Sequence, residues 1–410
     1  MKRLIHDPKT PHVAIALLFV IHMAIGLLGW DFVVEADGTE YLQIAQNLLD
    51  QGTFTYDGVN PVVGKPPGFP FLIAAYMWLT GSLLGFHWLQ LILMYVAFVF
   101  VAATTARWIG WTRAQLVLVL LVSTWPLHVL THHLFAEAPF LALTSAGLYL
   151  LVRAASLKWL KYGVLAGLAF GISVYFRPIN LFWPILLLLS ISIWQRRNMR
   201  LAITVCVVHF LVVSPWICRN WLQFGRLVPM VANWGPLYYM TEPDLWEIYF
   251  FQGSGVIRAS EPYRDMAGGE FQFNWRPSER FRRAALDNIR RDPLGYAGRC
   301  VRQSLFAWTY VPGTKEARAE APAWFLLGRA GMLVFYLITT IGAVGLLRLQ
   351  RPFAGLPAAY AGYTALILFP VCTESRYLIP AYMWLSPYTM AGIGVGWRFV
   401  RTRGWKKERK

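Results

Sequence analysis

The stretch HWLQLILMYVAFVFVAATTARWIGWTR, residues 87–113, decides the fold class. From His87 to Ala106 it holds about twenty residues without a Lys, Arg, Asp or Glu, enough for a helix to cross a hydrocarbon core of roughly 30 Å. It then breaks at Arg107 and Arg113, with Trp108 and Trp111 between them. An apolar run closed by aromatic rings and cations describes a transmembrane helix reaching a cytoplasmic interface.

Runs of similar character begin near Val13, Ala114, Leu134, Tyr162, Ile179, Leu201, Trp324, Phe353 and Tyr377. The sequence therefore predicts an all-α integral membrane protein of about ten transmembrane helices. Composition agrees: of 410 residues 57% are hydrophobic and 14% charged, where soluble domains carry about 25% charged residues. Lys2, Arg3 and Lys9 precede the first run, but no A-x-A-like cleavage site follows, so it is read as a retained helix.

A net charge of +17 could point to nucleic acid, and the topology removes that need. With the N-terminus inside and the ten runs alternating, the cytoplasmic pieces are 1–10, 107–113, 153–161, 195–200, 348–352 and 398–410. They hold 20 basic and 2 acidic side chains, net +18, and leave 18 basic and 19 acidic elsewhere, net −1. This is the positive-inside bias, and no nucleic-acid partner is expected. Counting Gly68–Leu84 as a further span would turn the basic segments outward. With prolines at 66, 67 and 70 it reads instead as a helix in the outer interface.

Three parts follow: an N-terminal transmembrane module over 1–217 with a first outer loop at 31–67, a large outer loop over 218–321, and helices with a basic tail over 322–410. Within the large loop, Phe281, Ala284, Ala285 and Ile289 give helical spacing over Pro277 to Gly298, broken by Asp292-Pro293. Cys206, Cys218, Cys300 and Cys372 show no CxxC spacing, which leaves a Cys218–Cys300 disulfide open.

In EADGTEYLQIAQNLLDQG, residues 35–52, the side chains of Tyr41, Ile44, Ala45, Leu48 and Leu49 make one apolar face, and Gly52 can end the helix. The spacing predicts an amphipathic helix flat on the outer membrane surface. Asp37 with Glu40 three residues on fits a capping box; it fits equally a carboxylate at a cavity mouth, able to act as general base. Lys65, Arg177, Arg219 and Arg376 each stand near an outer helix end. Such cations suit a phosphate or diphosphate headgroup, or they are snorkelling or locally paired side chains, as Arg376 with Glu374. Adjacent His132 and His133 with Glu137 do not converge as metal ligands unless the loop folds specially, and they read as interfacial polar residues. No cofactor is called for, although a divalent metal stays open. Phosphate-loop, H-E-x-x-H and G-x-S-x-G signatures are absent.

Five stretches in order resemble the GT-C membrane glycosyltransferases: residues 35–52, KPPGFPFLIAAYMWLTG (65–81), HHLFAEAPFLAL (132–143), SPWICRNWLQFGRLVP (214–229) and ESRYLIPAYMWL (374–385). The branch they are similar to holds the dolichyl-phosphate-mannose protein mannosyltransferases and the bacterial aminoarabinose transferases, glycosyltransferase family 39-like. The resemblance implies a GT-C fold with outer juxtamembrane helices and one large outer loop, and a sugar donor carried on polyprenyl phosphate. It implies Asp37 as the catalytic residue, with Glu137 at the place of a second acid that is often Asp. Lys65 matches a basic residue near the lipid phosphate. Arg177, Arg219, Arg376, Tyr377 and Tyr41 are the further substrate-binding candidates.

The expected reaction transfers the sugar, with inversion, to a lipid, glycan or protein acceptor on the extracytoplasmic side of the inner (plasma) membrane. A polyprenyl-lipid transporter or flippase is the rival reading, and a non-catalytic envelope scaffold is another. Transporters place ionisable groups at mid-membrane on inverted repeats, whereas here charges gather at outer helix ends and no repeat is visible.

Overall fold

The computed structural model describes residues 20, 34, 37–123, 130–194, 198–252, 260–309, 322–348, 353–371 and 375–407. The helices are α1 (Asp37–Gln51), α2 (Gly68–Thr80), α3 (Phe86–Ile109), α4 (Trp111–Val122), α5 (Glu137–Leu157), α6 (Leu160–Phe176), α7 (Trp183–Trp194) and α8 (Met199–Phe224). They continue with α9 (Gly235–Thr241), α10 (Pro243–Gln252), α11 (Glu261–Ala267), α12 (Trp275–Arg291), α13 (Pro293–Trp308), α14 (Pro322–Arg348), α15 (Leu356–Leu368) and α16 (Ile379–Lys407).

Four described helices are long and apolar enough to cross a membrane: α3, α5, α8 and the Leu326–Arg348 part of α14. At 1.5 Å per residue the 24 residues of α3 reach about 36 Å. Their outward residues are apolar at helical spacing, as in Ile203, Val207 and Leu211 on α8 and Leu326, Leu333 and Leu337 on α14, which suits lipid. Four other expected spans are shorter, α4 with 12 residues, α6 with 17, α7 with 12 and α15 with 13, and the run from Tyr377 becomes α16, 29 residues long. The run from Val13 lies outside the described residues except for Val20. At 13 residues, α2 reaches about 20 Å, short of a full span, in keeping with an interfacial helix.

The bundle closes through small residues. A Cβ on Gly171 would stand 2.7 Å from Cβ of Val212, so α6 and α8 approach backbone to backbone. The parallel pair α14 and α16 is tighter still. A Cβ on Gly342 would lie 1.8 Å from the Tyr388 carbonyl oxygen, and one on Gly392 would lie 2.1 Å from that of Ile338. Thr339 and Thr389 hydrogen-bond at 2.9 Å beside this crossing.

Asn180, fully buried in the 3₁₀ turn after α6, ties the outer ends together. Its amide donates to Thr144 and Ser173, each at 2.8 Å, and its carbonyl accepts from the Tyr360 hydroxyl at 2.9 Å. A buried amide satisfied from three helices fixes their mutual register.

The large loop has its own core of Tyr238, Tyr239, Trp246, Tyr263, Phe281 and Cys300. Asp292 ends α12, where the sequence places the helix end, and caps α13, accepting from Gly295 N–H at 2.8 Å. The helix α8 runs unbroken to Phe224, past the boundary drawn at 217. No disulfide joins Cys218 to Cys300: both are free thiols, the first exposed on α8 and the second buried in the loop core.

The α14–α16 crossing gives a stability test. Gly342→Ala should destabilise the protein by about 1–3 kcal/mol through overpacking, read as a lower melting temperature in detergent. Gly331→Ala on the same helix, where the added Cβ meets nothing within 4 Å, should leave it unchanged or raise it slightly.

Candidate active site

Helix α1 forms as its apolar period requires. Tyr41, Ile44 and Ala45 are buried, Tyr41 meeting Phe69 of α2 edge-on at 5.2 Å. Gly52 terminates the helix with φ +67°, a left-handed conformation that glycine adopts without strain. The buried face is not purely apolar, as the expectation of a helix flat on the surface had it: Asp37, Glu40 and Asn47 share it with Tyr41 and Ile44 and are buried too. Leu49, placed by periodicity on the apolar face, is 39% exposed.

What covers Glu40 is the segment Phe271–Asn274 of the large loop, lying against Val62–Lys65. Val63 and Gly64 N–H both donate to the Phe273 carbonyl, at 3.0 and 2.9 Å, and Val63 accepts from Ala232 N–H at 2.9 Å. Position 64 has to be glycine, since a Cβ there would sit 2.6 Å from the Phe273 ring. This strap drives Lys65 inward. Its ammonium lies 2.8 Å from Asp37 Oδ1 and 2.5 Å from Glu40 Oε2, with the Phe273 ring centre at 4.3 Å and that of Tyr41 at 4.8 Å. Gln272 in turn donates to Glu40 Oε1 at 3.3 Å.

A second ion pair faces the same space. Glu137 is the first residue of α5 and Arg177 caps the C-terminus of α6 in extended conformation. Arg177 donates to Glu137 Oε1, and its guanidinium lies over the Tyr377 ring at 4.7 Å. Glu137 side-chain exposure is 4% and that of Arg177 14%, so the pair is largely out of water.

Both pairs line one cavity of about 480 Å³. One wall is apolar, with Ile179, Leu181, Phe182, Tyr363, Ile367 and Leu368. The large loop contributes Met230, Asn233, Tyr239 and Phe273 to the lining. Burial raises the Tyr41 hydroxyl to about 12 against the opposing pull of Lys65 and Arg177, so it stays a neutral donor at physiological pH.

Of the residues singled out in the sequence, Asp37, Tyr41, Lys65, Glu137, Arg177 and Tyr377 converge on this cavity. Arg219 does not line it. Its guanidinium sits among Phe54, Trp216 and Phe224 and donates to Asn220 Oδ1, because the end of α8 points it at the first outer loop. Arg376 belongs to the turn before α16, and its side chain lies outside the described residues. His132 stacks near His87, ring centres 6.0 Å apart, and among the described residues no three His, Cys, Asp or Glu gather as metal ligands. The residues missed were Gln272 and Phe273, whose roles depend on contacts some 230 residues away in sequence. Glu40 was read only as a capping partner, although its i,i+3 spacing already placed it beside Asp37.

Residues 64–218 match the family described as dolichyl-phosphate-mannose-protein mannosyltransferase. That stretch holds Lys65, Glu137 and Arg177 and leaves Asp37 outside. No curated protein matches the sequence. Among solved structures, the archaeal oligosaccharyltransferase AglB from Archaeoglobus fulgidus, in complex with an inhibitory peptide and a dolichol-phosphate, is similar over 98% of this chain and 52% of AglB, at 11% identity and TM-score 0.53. ArnT from Cupriavidus metallidurans, bound to undecaprenyl phosphate, matches over 94% of this chain and 77% of ArnT, at 13% identity and TM-score 0.45. The chain thus resembles GT-C glycosyltransferases, as its motifs imply; it shares the fold of AglB and spans about half of that protein's length.

Removing the cation should expose the strength of the Lys65 cluster. Lys65→Met leaves two buried carboxylates without their counter-ion and should cost about 3–5 kcal/mol, measured by thermal unfolding. Adding Glu40→Gln to that variant should recover part of the loss.

Proposed function

We propose that the chain is a membrane glycosyltransferase that moves a sugar from a polyprenyl-phosphate carrier to an acceptor hydroxyl on the extracytoplasmic side, with inversion. The observation that carries this reading is the contact of Asp37 with Lys65 at the wall of a cavity whose other side is apolar. A carboxylate, a phosphate-seeking cation and a greasy wall are the three things such a donor and its acceptor need. The family match over 64–218 and the shared GT-C fold support the same class.

In this mechanism the donor's phosphate draws Lys65 toward itself and loosens its hold on Asp37. The released carboxylate accepts the proton of the acceptor hydroxyl. That oxygen forms the new bond to the anomeric carbon as the bond from carbon to phosphate oxygen breaks on the opposite face. The electron pair departs with polyprenyl phosphate, whose charge Lys65 and Arg177 stabilise in a water-poor site. Glu137 keeps Arg177 aimed at the cavity, and Arg376 is the third cation in this scheme. Tyr41 and Tyr377 frame the sugar. The large loop covers the cavity and meets the acceptor, which is a lipid, a glycan or a protein. The proposed location is the inner membrane, with the cavity facing outward.

Purified protein in nanodiscs, supplied with a panel of polyprenyl-phosphate sugars, should transfer sugar. Asp37→Asn should lower that rate by about 10²- to 10⁴-fold, the usual yield of a positioned base, while donor binding and melting temperature persist. Donor binding by the wild type with no transfer to any acceptor would sink this reading and favour a transport or scaffold role.

A further inference from the structure

The end of the bundle opposite the cavity holds a second, different arrangement of charge. Arg107 stands in the last turn of α3, Arg153 near the end of α5 and Lys161 at the start of α6. These three helices pack side by side, and their cations converge on two phenol rings. The Arg153 Nη1 donates to the Tyr149 hydroxyl at 3.2 Å, and its guanidinium carbon is 4.6 Å from the centre of the Tyr162 ring. The Arg107 guanidinium lies 5.4 Å from the Tyr149 ring centre. Lys161 lies 4.4 Å from the Trp159 ring and 5.4 Å from the Tyr162 ring.

The connecting segments 107–113 and 153–161 contain no Asp or Glu. The cations at the cavity end, Lys65 and Arg177, each have a carboxylate against them. These three have aromatic faces and one phenol oxygen, which offset only part of their mutual repulsion at a low-dielectric boundary. The Arg153 Nε is shielded from solvent and makes no hydrogen bond, so a donor of this half-buried fork is unused. Exposed apolar side chains continue from the cations toward the bilayer: Leu157, Leu160 and Val164. An unused guanidinium donor, connecting segments without an acid and an adjoining greasy flank together describe a headgroup seat.

We propose that Arg107, Arg153 and Lys161 form a binding site for a phosphate-bearing anion, filled in a membrane by the headgroup of an anionic phospholipid. The phosphodiester lies between the guanidinium groups. Its acyl chains run along Leu160 and Val164. The site is separate from the cavity and does not depend on the reaction assigned to it.

Native mass spectrometry of the full-length protein, titrated with phosphatidylglycerol, phosphatidylcholine or sodium phosphate, tests the assignment. Phosphatidylglycerol should be retained more strongly than phosphatidylcholine. Arg107→Gln and Arg153→Gln should each weaken it by about fivefold, the contribution of one cation near an anionic lipid. Arg153→Lys should lose part of the affinity because it keeps the charge and loses the fork. Arg348→Gln, at the end of α14, should change nothing. Melting temperatures identify any variant that fails to fold, and Lys161→Gln on a third helix then carries the test. Displacement of the lipid by sodium phosphate would identify the phosphate group itself as the ligand; its failure to displace would identify the whole lipid. Equal retention by wild type, Arg107→Gln and Arg153→Gln would overturn the proposal, as would an equal loss in Arg348→Gln.

Discussion

A lysine buried between two carboxylates is the interaction on which the outer half of this molecule depends. Taking an ammonium and two carboxylates out of water costs several kcal/mol per ion, and their attraction returns it only when the geometry is tight and the remaining lone pairs are engaged. Here the parts come from three distant places: Asp37 and Glu40 from α1, Lys65 from the first outer loop, and Gln272 with Phe273 from the large loop. None of these segments can hold the ion cluster dry alone. Assembly of the cluster is thus assembly of the cavity, which explains why the strap over Gly64 leaves no room for a side chain.

The second pair is secured differently. Arg177 follows the last turn of α6, and three residues later Asn180 is locked to Thr144, Ser173 and Tyr360. Because Thr144 lies two turns along α5 from Glu137, one network fixes both partners of the Arg177–Glu137 bond. Among the described side chains that line the cavity, two carboxylates, Asp37 and Glu137, stand against two cations, Lys65 and Arg177, and Glu40 holds Lys65 from behind. An arriving phosphate would have to take cations away from those carboxylates. In the mechanism proposed above, that competition is what makes Asp37 basic only once a donor is present.

Much of this was legible in the sequence, for reasons that can be located. The apolar run at 87–106 and the 3.6-residue period at 41–49 report burial directly, so α3 and α1 stand where expected. Asp37, Lys65, Glu137 and Arg177 could be picked out because charge beside an apolar run is expensive, and expense without purpose is rare in a membrane. Arg219 satisfied the same criterion and failed, since an aromatic cage can hold a guanidinium as well as an anion can. Helix lengths were the weaker part. Hydropathy marks where a chain is apolar, but α4, α7 and α15 end at glycines, turns and prolines that a twenty-residue window averages away. The strap at 271–274 carried no local signal at all. Its aromatic residues look like any others in a Trp- and Arg-rich loop until they meet Lys65.

The two ends of the bundle solve the same electrostatic problem in opposite ways. At the cavity end the chain supplies its own counter-ions, and Lys65 and Arg177 are paired and largely out of water. At the other end the segments 107–113 and 153–161 hold no acid, and rings stand beside the cations instead. Aromatic faces attract a cation without neutralising it, so Arg107, Arg153 and Lys161 keep their full charge while remaining oriented by Tyr149 and Tyr162. Orientation with charge intact is what an anion from the membrane would meet. The helix α5 carries Glu137 at one end and Arg153 at the other, so a single element spans both regimes.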